Sequence, residues 1–137
     1  MKKVLFILLI LILGSIILGG CDSKESTISP TNALPEQVVR DYFKYWNDKN
    51  VSKMEELMTS NNKGISWELE KLKYVKLISI NESKSHQPNN QKTFNVEFEI
   101  KFKDGSGSGL SDGKVFWPYV LRMDTEKSRW LIYGWGV

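Results

Sequence analysis

Apolar positions between Pro35 and Asn50 recur every three or four residues, which places them on one face of a predicted α-helix. Proline favours the first turn of a helix because it has no N–H to leave unpaired, so the helix is predicted to begin at Pro35. The polar segment 47–50 ends it. Similar patterns predict two further short helices over 51–58 and 65–72. The apolar face of the first helix consists of Val38, Val39, Tyr42, Phe43 and Trp46.

From Tyr74 onward the pattern is typical of β-strands, and four are predicted, over 74–80, 93–102, 114–123 and 128–137. Alternation is clearest in the second, where apolar Phe94, Val96, Phe98, Ile100 and Phe102 are separated by polar residues. Pro118 predicts an edge or a bulge in the third strand. Together the pattern predicts an α+β fold, with one long and one or two short N-terminal helices packed on a curved four-stranded antiparallel sheet.

A different pattern occupies the first 21 residues, where Lys2 and Lys3 precede a nearly unbroken apolar run. This layout predicts a secretory signal over residues 1–20. The ending Leu18-Gly19-Gly20-Cys21 resembles a bacterial lipobox, which implies cleavage between Gly20 and Cys21 and a signal helix preceding the domain. An uncleaved membrane anchor is the alternative, although a spanning helix needs about 20 apolar residues and Gly14 and Ser15 interrupt this run.

The lipobox resemblance implies that Cys21 carries a diacylglyceryl group and holds the protein in the lipid bilayer of a cell membrane, on the extracytoplasmic side. Residues 21–34 are then the lipidated cysteine and a flexible tether, whose 12 residues after Cys21 reach roughly 20 Å. Residues 35–137 form a single domain.

Charge and cysteine content exclude several kinds of function. Removal of Lys2 and Lys3 with the signal lowers 19 basic residues to 17, against 16 acidic ones, so we expect no nucleic-acid partner. Acylation of Cys21, the single cysteine, leaves no thiol for disulfides, metals or nucleophilic catalysis. We expect no metal or other cofactor, because His86 lies in a turn-like cluster and Val115 stands where a calcium loop starting at Asp104 needs Glu. Segment 104–113 is predicted to be a mobile hairpin loop.

The Trp46 helix, segment 47–50, the second short helix, the long strands and the final Trp130-Leu131-Ile132 strand resemble the nuclear-transport-factor-2-like (cystatin-like cone) superfamily. More narrowly, the chain is similar to small bacterial lipoproteins of unknown function that carry this domain. The resemblance covers residues 35–137. Enzymes of the superfamily use an Asp–His pair or an acid–tyrosine arrangement inside the cone. Here the nearest acids, Asp41 and Asp48, lie opposite the valines of the first helix, and no histidine lies on a facing strand, so no catalytic residue is assigned.

Aromatic residues supply the candidate binding site, because Tyr42, Trp46, Trp117 and Tyr119 would line an apolar pocket with polar tips if the cone is incompletely filled. The leading hypothesis is therefore a non-enzymatic lipoprotein that binds a small ligand or an envelope protein. One alternative is an enzyme acting on a small apolar substrate in the cone pocket. The other is a structural or inhibitory module that uses an exposed apolar patch around Phe116, Val120 or Leu131.

Overall fold

The helix predicted from Pro35 is present as α1 (Pro35–Asn47) in the computed structural model, which describes residues 33–65 and 67–136. Glu36 lies in its first turn and Lys44 in its last, so both charges complement the helix dipole. All five residues of the expected apolar face are buried. The predicted signal segment 1–20, Cys21 and most of the tether lie outside the described residues. Neither α-helix of the described part is long and apolar enough to cross a membrane.

Segment 47–50 joins the first two helices and also fixes them to the first strand, β1 (Leu72–Glu82). The Asn47 side-chain oxygen accepts a hydrogen bond from the Val75 N–H at 3.1 Å, and the Lys49 ammonium donates to the Leu72 carbonyl at 2.7 Å. Asn50 then caps α2 (Val51–Glu56) by accepting from the N–H of Lys53 at 3.1 Å. The polar break between the helices therefore also occupies backbone groups at one end of the β1 edge.

Four strands form the main sheet, in the order β1-β2-β5-β6 with every neighbouring pair antiparallel. Their bounds after β1 are Gln91–Phe102 for β2, Gly113–Asp124 for β5 and Arg129–Trp135 for β6. Between β2 and β5 the chain forms a separate small hairpin of β3 (Ser106–Gly107) and β4 (Leu110–Ser111). The α+β class, the long N-terminal helix and the four-stranded antiparallel sheet are confirmed.

The inner face of the sheet, which packs on α1, is built on the alternation seen in β2. Its residues Phe94, Val96, Phe98, Ile100 and Phe102 are all buried. α1 contacts β1 and β6, and its Phe43 ring reaches the Phe98 ring of β2 with 5.0 Å between centroids. The hydrophobic core therefore lies between one helix face and one face of the sheet.

Pro118 lies where β5 loses its second neighbour, as predicted from its missing N–H. Pairing with β6 begins at Tyr119, and a bulge at Tyr133 shifts the register between Val120 and Leu121. The Pro118 carbonyl accepts from the Gly136 N–H at 3.1 Å. Residues 113–118 thus pair with β2 but not with β6.

The other edge of β6 is covered by the segment that follows α2. Ile132 donates its N–H to the Leu57 carbonyl at 2.8 Å and accepts from the Thr59 N–H at 3.0 Å, which makes a single parallel bridge at Met58. A 3₁₀ turn follows (Ser60–Asn62), and the Asn62 amide donates to the Tyr133 carbonyl at 2.7 Å. This part of the edge is thereby closed to strands from other molecules.

The helix predicted over 65–72 is wrong. Its described residues form turns and the start of β1, and Glu68 has a φ of 44°, which an α-helix cannot contain. The turn buries Trp67 in the core and brings the Glu68 carboxylate to the Ser108 N–H of the small hairpin. Tertiary packing overrides the helical pattern in this segment.

Segment 104–113 is a structured hairpin, where a mobile loop was expected. Asp112 accepts a hydrogen bond from the Phe102 N–H at 2.7 Å through its side chain and donates its own N–H to the Gly105 carbonyl at 3.0 Å. A Cβ on Gly107 would lie 2.7 Å from the Phe102 ring, so only glycine fits there without movement of that ring. The glycines permit a tight hairpin to close on the end of β2.

Candidate functional site

Three of the four residues expected to line a pocket are brought together in the core. Tyr42 and Trp46 project from α1 and Tyr119 from the inner face of β5, and their exposed fractions are 0%, 1% and 0%. The Tyr42 ring lies 5.9 Å from the Trp46 ring and 6.0 Å from the Tyr119 ring, measured between centroids. Trp117 is half-buried on the same face of β5 and contacts Phe98 at 5.8 Å.

Two further tryptophans, which the sequence did not indicate as site residues, contact these three. Trp67 lies 5.1 Å from Trp46, and Trp135 stacks on Tyr119 at 6.2 Å. The Trp67 and Trp135 rings are 5.3 Å apart. Strand alternation with Tyr119 could have identified Trp135, whereas Trp67 lies in an irregular turn without such a signal. The aromatic cluster is defined here as Tyr42, Trp46, Trp67, Tyr119 and Trp135.

Three polar atoms of the aromatic cluster are buried without a hydrogen-bond partner among the described residues. They are the hydroxyls of Tyr42 and Tyr119 and the indole N–H of Trp46. Most buried polar side-chain atoms are hydrogen-bonded, and leaving one unsatisfied costs about 1–3 kcal/mol. Three such atoms in one cluster therefore reduce stability, while offering donors and acceptors to any polar group that reaches them.

Burial also determines the protonation of both tyrosines. Desolvation raises the pKa of Tyr42 above its ordinary value of 10.0. It also raises the pKa of Tyr119 well above that value, and the nearby Tyr42 adds to this effect. Both side chains are therefore neutral phenols at physiological pH, which suits them to hydrogen bonding and not to removing protons.

The described charged residues lie away from this cluster. No polar or charged residue of the described part is buried, and no metal-binding group of His, Cys, Asp or Glu forms within it. Asp41 accepts a hydrogen bond from Gln37 at 2.8 Å, while Asp48 and His86 are exposed. The described interior thus offers hydrogen-bonding groups in an aromatic setting, without an acid–base pair.

On the outer face of the sheet, polar groups have partners. The Tyr74 hydroxyl donates to the Glu99 carboxylate at 2.6 Å, and Lys114 lies 3.4 Å from Glu97. The apolar residues expected to form a patch differ in burial. Phe116 is 62% exposed, Val120 is half-buried and Leu131 is only 6% exposed. Phe116 is the exposed member of this set.

Two open grooves lie on the surface, and neither is lined by the aromatic cluster. The first, of about 600 Å³, runs beside the end of β2 and carries three lysines and two aspartates: Lys73, Lys101, Lys103, Asp104 and Asp112. Lys101 and Asp112 pair within it at 2.5 Å. The second, of about 330 Å³, lies between the 3₁₀ turn and the β5–β6 hairpin, and is called the hairpin groove below.

Comparison with known families gives one match, over residues 36–136, to the family described as Domain of unknown function (DUF4829). The match spans both α-helices and the whole sheet up to Trp135. A search of curated proteins gave no match.

Proposed function

We propose that this chain, which belongs to the DUF4829 family, is a lipoprotein that holds a ligand-binding domain at the extracytoplasmic face of a cell membrane. In this proposal residues 1–20 are the signal, residues 21–34 the acylated cysteine and tether, and residues 35–137 the binding domain. The basic start, the apolar run and the Leu18-Gly19-Gly20-Cys21 ending support it. One acyl chain gives only marginal membrane binding, so the diacylglyceryl pair on Cys21 supplies stable anchoring.

We further propose that the sheet curves around α1 as in the nuclear-transport-factor-2-like cone. α1 contacts β1 and β6, the two edge strands. Its Phe43 ring also reaches Phe98 of β2 and Tyr119 of β5, the two central strands, at 5.0 and 5.5 Å between centroids. A sheet that wraps the helix brings one helix close to all four strands.

The ligand in this proposal is a small, mostly apolar molecule with one or two hydrogen-bonding groups. The observation that carries this part is the set of three unpartnered polar atoms, on Tyr42, Trp46 and Tyr119, inside the aromatic cluster. A ligand group that bonded with them would recover free energy lost on burial, while aromatic rings would cover its apolar part.

Entry to the cluster would require Trp67 and Trp135 to separate. Trp67 belongs to the irregular turn before β1, and Trp135 is the last residue of β6. These two segments lack the two-sided strand pairing of the central sheet, so they can open at lower cost than the strands beneath them.

The anchor is tested by Cys21→Ala in cells supplied with labelled fatty acid. The variant should incorporate no label and accumulate as an unprocessed precursor, because the thioether cannot form. Ser23→Ala, two residues away in the same segment, should be labelled and processed normally. Normal processing of Cys21→Ala would show that the lipobox assignment is wrong.

The ligand site is tested by extracting the small molecules that the acylated protein retains after purification from its native membrane. Tyr42→Phe and Tyr119→Phe should each lower the retained amount of the specific compound by roughly tenfold, since each removes one ligand hydrogen bond. Tyr45→Phe, on the same helix but half-exposed, is the control and should retain it. Equal retention by all four proteins contradicts the proposed site.

A second candidate function, recognition of an envelope protein, is favoured by the exposed segment of β5. Residues 113–118 pair with β2 alone, and Phe116 stands 62% exposed on this segment. An extended peptide could add to such an edge through backbone hydrogen bonds. A photoreactive residue at position 116 should then crosslink one protein in native membranes, and the same residue at position 92 should not.

A further inference from the structure

The hairpin groove carries a concentration of positive charge that the overall composition does not indicate. Lys63, Arg122, Lys127 and Arg129 line it, with Asp124 as the one carboxylate among its described lining residues. The whole chain, by contrast, has a formal net charge of only +3. The positive charge is therefore local to this groove.

Asp124 does not neutralise this charge, because its carboxylate closes the β5–β6 turn. One of its oxygens accepts hydrogen bonds from the N–H groups of Glu126 and Lys127, both at 3.1 Å. The ion pairs found within 33–65 and 67–136 involve none of the four cations of the groove. Their charge is available to a ligand.

The two arginines of the groove differ in how they are held. Arg122 donates from Nε to the Gln91 side chain at 3.2 Å, and its guanidinium lies 3.4 Å from the centre of the Tyr133 ring. Arg129 has a buried Nε with no acceptor among the described residues. Its planar guanidinium is therefore not committed to an internal partner, and this group matches the oxygens of phosphate and carboxylate in a two-point contact.

The base of the groove is apolar. Met58 and Leu131 are buried there, and Met123 is half-buried. A ligand in the groove would therefore meet positive charge at the rim and hydrocarbon below. The larger groove beside β2 differs, because its three lysines are balanced in part by Asp104 and by the Lys101–Asp112 pair.

We infer that the hairpin groove binds an oxyanion of the phosphate-ester class, with Arg129 and Lys127 on the oxyanion and the adjoining carbon atoms against Met58 and Met123. This site is separate from the aromatic cluster and does not depend on ligand binding there. The same chemistry is presented by a soluble phosphate compound and by the headgroup of an anionic phospholipid, so the experiment has an arm for each source.

The test uses the full acylated chain in nanodiscs and measures hydrogen exchange of the backbone over residues 57–63 and 121–132. In one arm, phosphatidylcholine nanodiscs are titrated with sodium phosphate, against sodium chloride at the same ionic strength. In the other, phosphatidylglycerol replaces phosphatidylcholine. Protection by phosphate identifies a soluble anion as a ligand, protection in phosphatidylglycerol identifies a headgroup, and either result supports the site.

Arg129→Gln should weaken the protection by roughly tenfold in the anion concentration required, because a charged hydrogen-bond donor is lost. Lys127→Gln, in the exposed turn, gives a second test that does not alter the strands. Lys103→Gln, in the other groove, is the control and should match the unmodified chain. Equal protection by chloride, no protection in either arm, or full protection in both groove variants would overturn the inference.

Discussion

The two faces of the sheet treat the same chemical group in opposite ways. On the outer face, the Tyr74 hydroxyl donates to Glu99 at 2.6 Å, and this bond raises the pKa of Tyr74. On the inner face, the hydroxyls of Tyr42 and Tyr119 lack a partner among the described residues, and burial raises their pKa. The outer polar groups bond where water could also satisfy them, whereas the inner ones remain unsatisfied where water is excluded.

This difference shows how the domain derives its stability. Apolar burial on the inner face is large enough to tolerate several unpartnered polar atoms, each of which costs about 1–3 kcal/mol. Exposed ion pairs on the outer face contribute about 0–1 kcal/mol each, since water competes with both partners. Stability therefore comes from the inner face, and the following changes test that conclusion.

The largest effect is expected for Phe98→Ala, at the centre of the inner face. Phe98 contacts Phe43, Trp46 and Trp117, and its removal should lower the free energy of unfolding by about 3–5 kcal/mol through the lost burial and the cavity that remains. Phe116→Ala, on the outer face, should change it by no more than about 0.5 kcal/mol. Urea unfolding followed by tryptophan fluorescence measures both. Similar losses in the two variants would remove the distinction between the faces.

A smaller effect is expected where the β3–β4 hairpin packs against the inner-face residue Phe102. Gly107→Ala places a Cβ 2.7 Å from the Phe102 ring and should lower the free energy of unfolding by about 1–3 kcal/mol through overpacking. Gly134→Ala is the control, since no atom lies within 4 Å of the added Cβ, and should change it by about 0.5 kcal/mol or less. Equal unfolding midpoints for both variants would show that the hairpin is not packed as described.

Removing hydroxyls tests the contrast between the tyrosines directly. Tyr42→Phe or Tyr119→Phe removes an unpartnered buried hydroxyl and should raise the free energy of unfolding of the ligand-free protein by about 1 kcal/mol. Tyr74→Phe removes a bonded hydroxyl and should lower the unfolding temperature slightly. Thermal unfolding by circular dichroism gives the sign in each case. A loss of stability in Tyr42→Phe would mean that its hydroxyl has a partner in solution.

The smallest effect concerns two acids at the hairpin. The Lys71 ammonium and the Ser108 N–H lower the pKa of Glu68, and Lys101 and the Phe102 N–H lower that of Asp112. Because the folded pKa values lie below the ordinary values of 4.5 and 3.8, the stabilisation is full above those values and is lost as pH falls through the folded ones.

Glu68→Gln and Asp112→Asn should therefore reduce the fall of the unfolding temperature between about pH 5 and pH 2. Glu126→Gln, in the exposed β5–β6 turn, is the matched control and should follow the unmodified chain. Parallel curves for all proteins across this range would show that these two carboxylates do not contribute to acid stability.

Local pattern predicted the elements whose burial repeats with the period of the backbone. The stripe on α1 and the alternation in β2 correspond directly to buried positions, because both faces pack on the same core. Pro118 was informative for a similar reason, since its missing N–H restricts where it can lie in a sheet.

Contacts between distant segments could not be predicted in this way. Glu68 and Ser108 are 40 residues apart, and no periodicity links them. The hairpin groove joins residues near 60 with residues 122–131, so its charge becomes visible only when the sheet is assembled. The aromatic cluster was partly anticipated, through Tyr42, Trp46 and Tyr119, but Trp67 depends on a turn that overrides a helical pattern.

The bridge between Ile132 and the segment after α2 also bears on the order in which the domain can fold. Leu57 and Thr59 wait for a partner that the chain supplies more than 70 residues later, and the core lacks Ile132 and Trp135 until β6 arrives. Contacts of such long separation slow folding, because much chain entropy is lost before they form. The domain therefore stays incomplete until β6 is available. That delay suits a chain that we propose is threaded through a membrane in an unfolded state.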